Sequence, residues 1–211
     1  MLPRVAVRHL GLETPPGFPD AFARAFGDLP DPDRAAPTAT VTWIETPLGP
    51  MVAAATDEGV CLLEYTDPRR LEAQIVQLRR RIAPRIVDGH HPHLATLREQ
   101  LAAYFAGTLK QFSVPLVVPG TPFEERVWQA LLRIPYGRTR SYIEIARELG
   151  SPEGQRAVGR ANGLNRIAIV IPCHRVVNQG GGLGGYGGGL WRKERLLDLE
   201  RGPGQRSLFN Q

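Results

Sequence analysis

The chain has 211 residues, 42% of them apolar, and only two cysteines, Cys61 and Cys173. That length holds one large domain or two small ones with a real core, and two cysteines make no disulfide framework, which fits a reducing cytoplasm. No apolar run is long enough to span a bilayer and no secretory h-region follows Met1, so the composition argues against a membrane or exported protein.

The formal net charge of +5 is unevenly spread. Residues 1–120 carry 12 basic and 13 acidic side chains, a net −1, whereas residues 121–211 carry 14 and 8, a net +6. The second half is therefore the half suited to a polyanion such as nucleic acid.

Residues 1–38 are proline-rich and read as an N-terminal tail, in part disordered, with one short amphipathic stretch from Phe18 to Phe26. From Thr40 the pattern becomes regular. Val41–Glu45, Met51–Ala55 and Val60–Tyr65 read as strands, joined by turns at Pro47–Pro50 and Asp57–Gly59. Residues 68–82 and 93–106 have helical spacing, the second through Leu94, Leu97, Leu101, Tyr104 and Phe105, and Phe112–Val118 reads as a last strand. Residues 40–118 are thus expected to form a small sheet with helices.

The second half, residues 121–202, is expected to be mainly helical, so the class is α+β. Thr121-Pro-Phe-Glu124 is a capping box that opens a helix with Phe123, Val127, Ala130 and Leu131 on one face. Ser141-Tyr-Ile-Glu144 is a second box, opening a helix that ends near Gly150. Ser151-Pro152 is expected to cap a third helix running to about Asn162, and the pair separated by a Gly-Ser turn suggests a helix-turn-helix. A buried strand, Ile167–Ile171, then leads into Pro172-Cys173-His174-Arg175-Val176. A loop with eight glycines in 180–189 and a closing helix, Leu190–Glu200, follow it. Residues 203–211 form a C-terminal tail.

The chemistry gathers at PCHRV. A thiolate, not a thiol, is a nucleophile, and an adjacent imidazole helps to form it near neutral pH. Cys173 and His174 are therefore the first candidates. No GxxxxGK[ST] pattern accompanies the glycine loop, so a nucleotide site is not expected, and no cofactor is implied. His90, His91 and His93 form a histidine cluster without a nearby cysteine, which reads as solvated loop histidines rather than as a metal site. Cys61 lies in an apolar strand and reads as inert core.

IPCHRVV, the upstream SY…RAVG…N pattern and the downstream GYGGGL…E pattern together resemble the O6-alkylguanine-DNA alkyltransferases, in register from about Thr121 to Gly202. The resemblance implies single-turnover DNA repair without a cofactor. The alkyl group of O6-alkylguanine, and of O4-alkylthymine, would pass to Cys173 of a monomer bound in the minor groove of double-stranded DNA. It also implies roles. His174, oriented by Glu200, draws the thiol proton through water, and Asn165 ties the helix-turn-helix to the active-site turn. Tyr142 contacts the flipped guanine, and Arg156 is the finger that fills the gap left by the base. Gly154, Ala157 and Gly159 supply the slim helix face beside that finger, and Gln155, Ala157 and Gly159 join Arg156 in binding DNA. Val176, Tyr186, Gly187 and Gly188 shape the guanine pocket, with glycine admitting close backbone approach. Relatives often carry serine at the Gly187 position and proline at the Ala168 position, so both sites depart from the pattern. The cysteine cluster that serves phosphotriester repair in bifunctional relatives is missing.

Two other readings compete. Alkyltransferase-like lesion binders share the fold but lack the acceptor cysteine. A DNA-binding regulator is suggested by the Phe18–Phe26 stretch, which resembles the end of an AraC-type helix-turn-helix. Finally, Gln205-Arg-Ser-Leu-Phe209 resembles the short peptides that dock on the bacterial sliding clamp, an extended segment with a Leu-Phe anchor.

Overall fold

The computed structural model describes residues 37–202. The Phe18–Phe26 stretch and the Gln205–Phe209 segment lie outside the described residues. Three strands, β1 (Thr38–Ile44), β2 (Met51–Thr56) and β3 (Gly59–Tyr65), form an antiparallel meander. A fourth, β4 (Arg85–Asp88), returns parallel to β1, which gives the order β3-β2-β1-β4. Sequence patterning did not reveal β4, because a four-residue strand behind Pro84 has too few positions to show a period.

Helices cover both faces of this sheet. α1 (Pro68–Arg81) packs Leu71, Ile75 and Leu78 against Val41, Trp43, Val52, Ala54 and Leu62. α2 (Pro92–Phe105) packs Leu94, Leu97, Leu101 and Tyr104 against the other face, with Met51, Ala53, Ala55 and Leu63. A strand buried on both sides has no polar face to keep, which is why β2 and β3 read as unbroken apolar runs rather than alternating ones. The one charged side chain in β3 is Glu64, fully buried.

The free edge of β3 receives two segments of chain. Val60 N donates to Pro115 O at 2.8 Å and Val117 N to Val60 O at 2.8 Å. Further along the strand, Leu63 N donates to Arg166 O at 2.9 Å and Ala168 N to Leu63 O at 2.8 Å. These bridges satisfy an edge that would otherwise be a template for association, and they lock the second half of the chain to the sheet. They also correct the expected strand at Phe112–Val118. Pro115 and Pro119 lack amide donors, so only a single bridge at Leu116 forms there.

The second half is helical, and the α+β class holds. α3 (Pro122–Leu132) begins at the Thr121–Glu124 capping box and buries Val127, Trp128, Ala130 and Leu131. Phe123, expected on that face, is only partly buried. A two-residue strand, β5 (Arg140–Ser141), pairs in parallel with β6 (Val176–Val177), and the Ser141 box starts α4 (Tyr142–Glu148). The next helix, α5 (Gln155–Gly163), starts later than expected. Ser151 instead accepts a turn bond from Gly154 N at 2.7 Å, and Gly154 is the N-cap with no side-chain cap. α6 (Leu190–Arg201) closes the described chain.

The largest correction concerns Ile167–Ile171. The run is buried as expected, but it is a tight turn rather than a strand. Ile169 has φ of +70°, an uncommon conformation for a β-branched residue. Val170 N donates to Ala168 O and Ile171 N to Ile167 O. Burial drives the apolar composition here, and composition alone does not report backbone shape.

Leu97 is fully buried between α2 and the sheet. Leu97→Ala is expected to lower unfolding free energy by about 2–5 kcal/mol, read by equilibrium denaturation.

Candidate active site

Cys173 opens a single 3-10 turn, Cys173–Arg175, immediately after Pro172. Cys173 N bonds to Ile171 O at 2.8 Å, so the preceding turn sets the direction of the thiol. The residue is only 5% exposed. Asn165 Nδ2 donates to its Sγ at 3.1 Å and to Ile171 O at 2.9 Å, while Asn165 Oδ1 accepts from Ile167 N at 3.0 Å. Asn165 thus touches the sulfur directly. Asn162, from α5, adds a bond to Cys173 O at 3.4 Å. Burial pushes the Cys173 thiol up, and the Asn165 hydrogen bond and the charge of Arg70 pull the other way.

His174 is fully buried, and its Nε2 lies 2.8 Å from Glu200 Oε1. Glu200 collects donors from four places. Tyr104 Oη donates to Oε1 at 2.7 Å, Gly137 N to Oε2 at 3.1 Å, and Arg175 Nε to Oε2 at 2.9 Å. Arg175 Nη2 adds a bond to Oε1 at 2.9 Å, and Nη1 is spent on Ile134 O at 2.6 Å. Burial alone would raise the Glu200 carboxyl, but the His174 and Arg175 bonds outweigh it and hold the group down to about 2. Burial lowers His174, leaving a neutral imidazole. An ionised carboxylate can only accept, so Nε2 carries the hydrogen and Nδ1 keeps the lone pair. Nδ1 is buried and makes no hydrogen bond among the described residues.

A cleft of about 140 Å³ opens above the sulfur, lined by Tyr142, Asn162, Ala168, Tyr186 and Gly188 among others. Tyr142, the first residue of α4, lies half-buried on its wall, and its ring lies close enough to Gly184 to leave little room there for a Cβ. Gly159 on α5 faces the same ring, whereas Gln155, Arg156 and Ala157 are exposed on the first turn of that helix. Tyr186 sits over the cleft, its ring edge-on to His174 at 6.5 Å. A Cβ on Gly188 would lie 2.6 Å from the Tyr65 ring, so only glycine fits. At Gly187 the neighbour is the Arg70 guanidinium, 2.2 Å from an added Cβ. Val176 differs from expectation. It is fully buried and is not among the residues that line the cleft, and its carbonyl accepts from Lys193 Nζ at 2.5 Å. Lys193 also bonds to Leu183 O and Gly185 O, so this buried ammonium gathers the glycine loop, and burial lowers it to about 8.

Of the three clustered histidines, His90 is exposed, and His91 and His93 make contacts at the start of α2. His91 Nδ1 accepts from His93 N at the start of α2, and His93 Nε2 lies 3.2 Å from Asp57 O. Burial pushes Cys61 up to about 12, an inert thiol. Sequence reasoning passed over Tyr104, Gly137, Arg175, Lys193, Glu64 and Arg70. Two carried a signal: Arg175 stands inside PCHRV, and Glu64 is a lone acid in an apolar strand. The rest have none, since their partners are distant in sequence.

A buried thiol beside a pair of short helices, with an imidazole and a carboxylate in the same turn and helix end, is an arrangement that can present sulfur to a bound partner. The comparisons give the family. Residues 122–202 match the model described as 6-O-methylguanine DNA methyltransferase, DNA binding domain, and residues 40–118 match its ribonuclease-like domain. The methylated-DNA–protein-cysteine methyltransferase of Mycobacterium tuberculosis H37Rv is 58% identical over 114 residues, covering 53% of this chain and 69% of that protein. The Mycobacterium leprae protein of the same name is 45% identical over 158 residues, 75% of this chain and 90% of the relative. The crystal structure of Mycobacterium tuberculosis OGT in complex with DNA superposes with a TM-score of 0.66 at 42% identity, covering 78% of this chain and 92% of that one. The chain belongs to the methylated-DNA–protein-cysteine methyltransferase family, enzymes of DNA repair.

The depressed Glu200 carboxyl carries a stability signature. Such a group adds stability above its ordinary value of 4.5, and that stability is lost as pH falls towards the folded value of about 2. The difference amounts to about 3 kcal/mol. Unfolding free energy is expected to drop by that order across this window. Glu200→Gln should remove that share of the drop, leaving the smaller share of Glu144 and Glu148, and at neutral pH it should cost about 3–5 kcal/mol because Arg175 keeps a buried charge without its partner. Denaturant titrations at a series of pH values check both.

Proposed function

We propose that Cys173 is the acceptor of the alkyl group in this chain. The observation that carries the reading is the Glu200–His174 pair in the turn that holds Cys173, beneath the cleft and with Asn165 on the sulfur. His174 Nδ1 takes the thiol proton through one bridging water, and Glu200 stabilises the imidazolium that results. The thiolate attacks the carbon attached to guanine O6. A sulfur–carbon bond forms, the carbon–oxygen bond breaks, and its electron pair stays on the guanine. Tyr142 donates a hydrogen bond or proton to a ring nitrogen of the departing base, which makes it a better leaving group. The thioether has no easy reversal, so each molecule acts once.

The same reading extends to duplex DNA. A target base inside the stack lies out of reach of a sulfur that is 5% exposed, so the base must be turned out into the cleft. Exposed Arg156, on the slim first turn of α5, is suited to enter the minor groove and fill the gap. The same pocket would take O4-alkylthymine. The sequence of the tail, Gln205–Phe209, supports recruitment to the sliding clamp. A clamp pull-down is expected to fail once residues 203–211 are deleted, and undiminished capture would rule the tail out.

Incubation with an O6-methylguanine duplex is expected to add one methyl group to the peptide containing Cys173, read by mass spectrometry. Cys173→Ala should abolish transfer and keep DNA binding, and transfer retained by that variant would refute the assignment. Arg156→Ala should slow transfer from duplex DNA by about tenfold or more while sparing transfer from the free O6-alkylguanine base, which needs no extrusion. Equal loss on both substrates would count against a finger.

A further inference from the structure

The cleft wall opposite α5 comes from the first half of the chain, through Glu64 on β3 and Arg70 on α1. Arg70 Nε donates to Glu64 Oε2 at 2.7 Å, and Glu64 Oε1 also accepts from Tyr65 N at 3.0 Å. The rest of the guanidinium reaches across to the second half. Nη1 donates to Gly163 O at 3.2 Å and Nη2 to Asn165 O at 3.0 Å, with Gln74 Nε2 adding a bond to Asn165 O at 3.4 Å. Gly163 is the last residue of α5, where free carbonyls favour a cation. The other side of the guanidinium lies against Gly187, close enough that a Cβ there would meet it at 2.2–2.5 Å.

We propose that Arg70, held by Glu64, is a positioning residue that fixes Asn165 and the glycine loop about the acceptor thiol and supplies positive charge to its thiolate. The inference rests on the reading of Cys173 as acceptor. It follows from connectivity. Arg70 holds the Asn165 main chain, and the Asn165 side chain holds the sulfur, so the sulfur is two hydrogen bonds from α1. An ion pair with a purely structural role would need only Glu64. This one turns its two remaining nitrogens toward carbonyls that flank the thiol's own donor.

The charges facing the sulfur give the pair a measurable effect. Lys193 from α6 and Arg70 from α1 favour the thiolate, and Glu64 from β3 opposes it. The neighbouring Tyr65, Tyr142 and Tyr186 hydroxyls are kept neutral by burial, and His174 is neutral as well. In a site with little water, removing one cation therefore shifts the balance towards the thiol.

Arg70→Met, Arg70→Lys and Glu64→Gln test this in the full chain. Two rates are followed against pH: alkylation of Cys173 by iodoacetamide, resolved from Cys61 by mass spectrometry, and methyl transfer from an O6-methylguanine duplex. Arg70→Met is expected to move the iodoacetamide midpoint up by about one pH unit and to slow both reactions about tenfold at neutral pH. Arg70→Lys keeps the charge but loses the fork, so its midpoint should stay near wild type while methyl transfer slows. Glu64→Gln should move the midpoint down. Midpoints unchanged in both Arg70→Met and Glu64→Gln would overturn the proposal, as would wild-type transfer by Arg70→Met. If Arg70→Met does not fold, Glu64→Gln and Arg70→Lys decide the matter by the same criteria. Failure of the wild type to accept a methyl group on Cys173 would instead remove the acceptor reading, and the iodoacetamide profiles would still report on Arg70.

Discussion

The Glu200 carboxylate is the interaction on which the site depends. It sits buried at the end of α6 and receives Tyr104 from α2, Gly137 from the turn before β5, and His174 and Arg175 from the Cys173 turn. A buried anion without these donors would be costly, so the elements that carry them must converge for the fold to be stable. The same convergence leaves His174 with a single tautomer. The bonds that stabilise this core also set the geometry around Cys173, which forms as part of the folded core rather than on top of it.

The sheet contributes through its edge. β3 offers unpaired backbone groups to Pro115–Val117 and to Arg166–Ala168, and the second of these segments runs directly into the turn that aims Cys173. Cys173 is thereby hung from a rigid strand although it is not on one. Two arginines cross between the halves of the chain near the glycine loop. Arg70 reaches from α1 to Gly163 and Asn165. Arg192 reaches from α6 to Leu48 O and Asp67, and its guanidinium lies 4.2 Å from the centre of the Tyr65 ring. Gly187 and Gly188 lie between these contacts, and at Gly188 packing requires glycine, because a Cβ there would meet the Tyr65 ring.

Much of this was legible in the residues. The two capping boxes, the helices of the second half and the meander of β1–β3 follow from local rules, and the structure has them. PCHRV and its flanking patterns pointed to a thiol, an imidazole and a distant carboxylate, and Glu200 does meet His174. Shape was less legible. Ile167–Ile171 has strand composition and is buried throughout, but its backbone is bent, with Ile169 at positive φ. Its composition records burial, and burial is common to strands, helices and tight turns.

The sequence by itself determined where helices start, which segments are apolar enough to be core, and which short motif holds reactive groups. These depend on residues within a few positions of one another. Only the tertiary structure decided which charges meet. Tyr104 and Glu200 are 96 residues apart, Gly137 and Glu200 63, and Arg70 and Asn165 95. No local pattern marks such partners, because an arginine or tyrosine that will be buried against a carboxylate reads like any other until the chain closes around it.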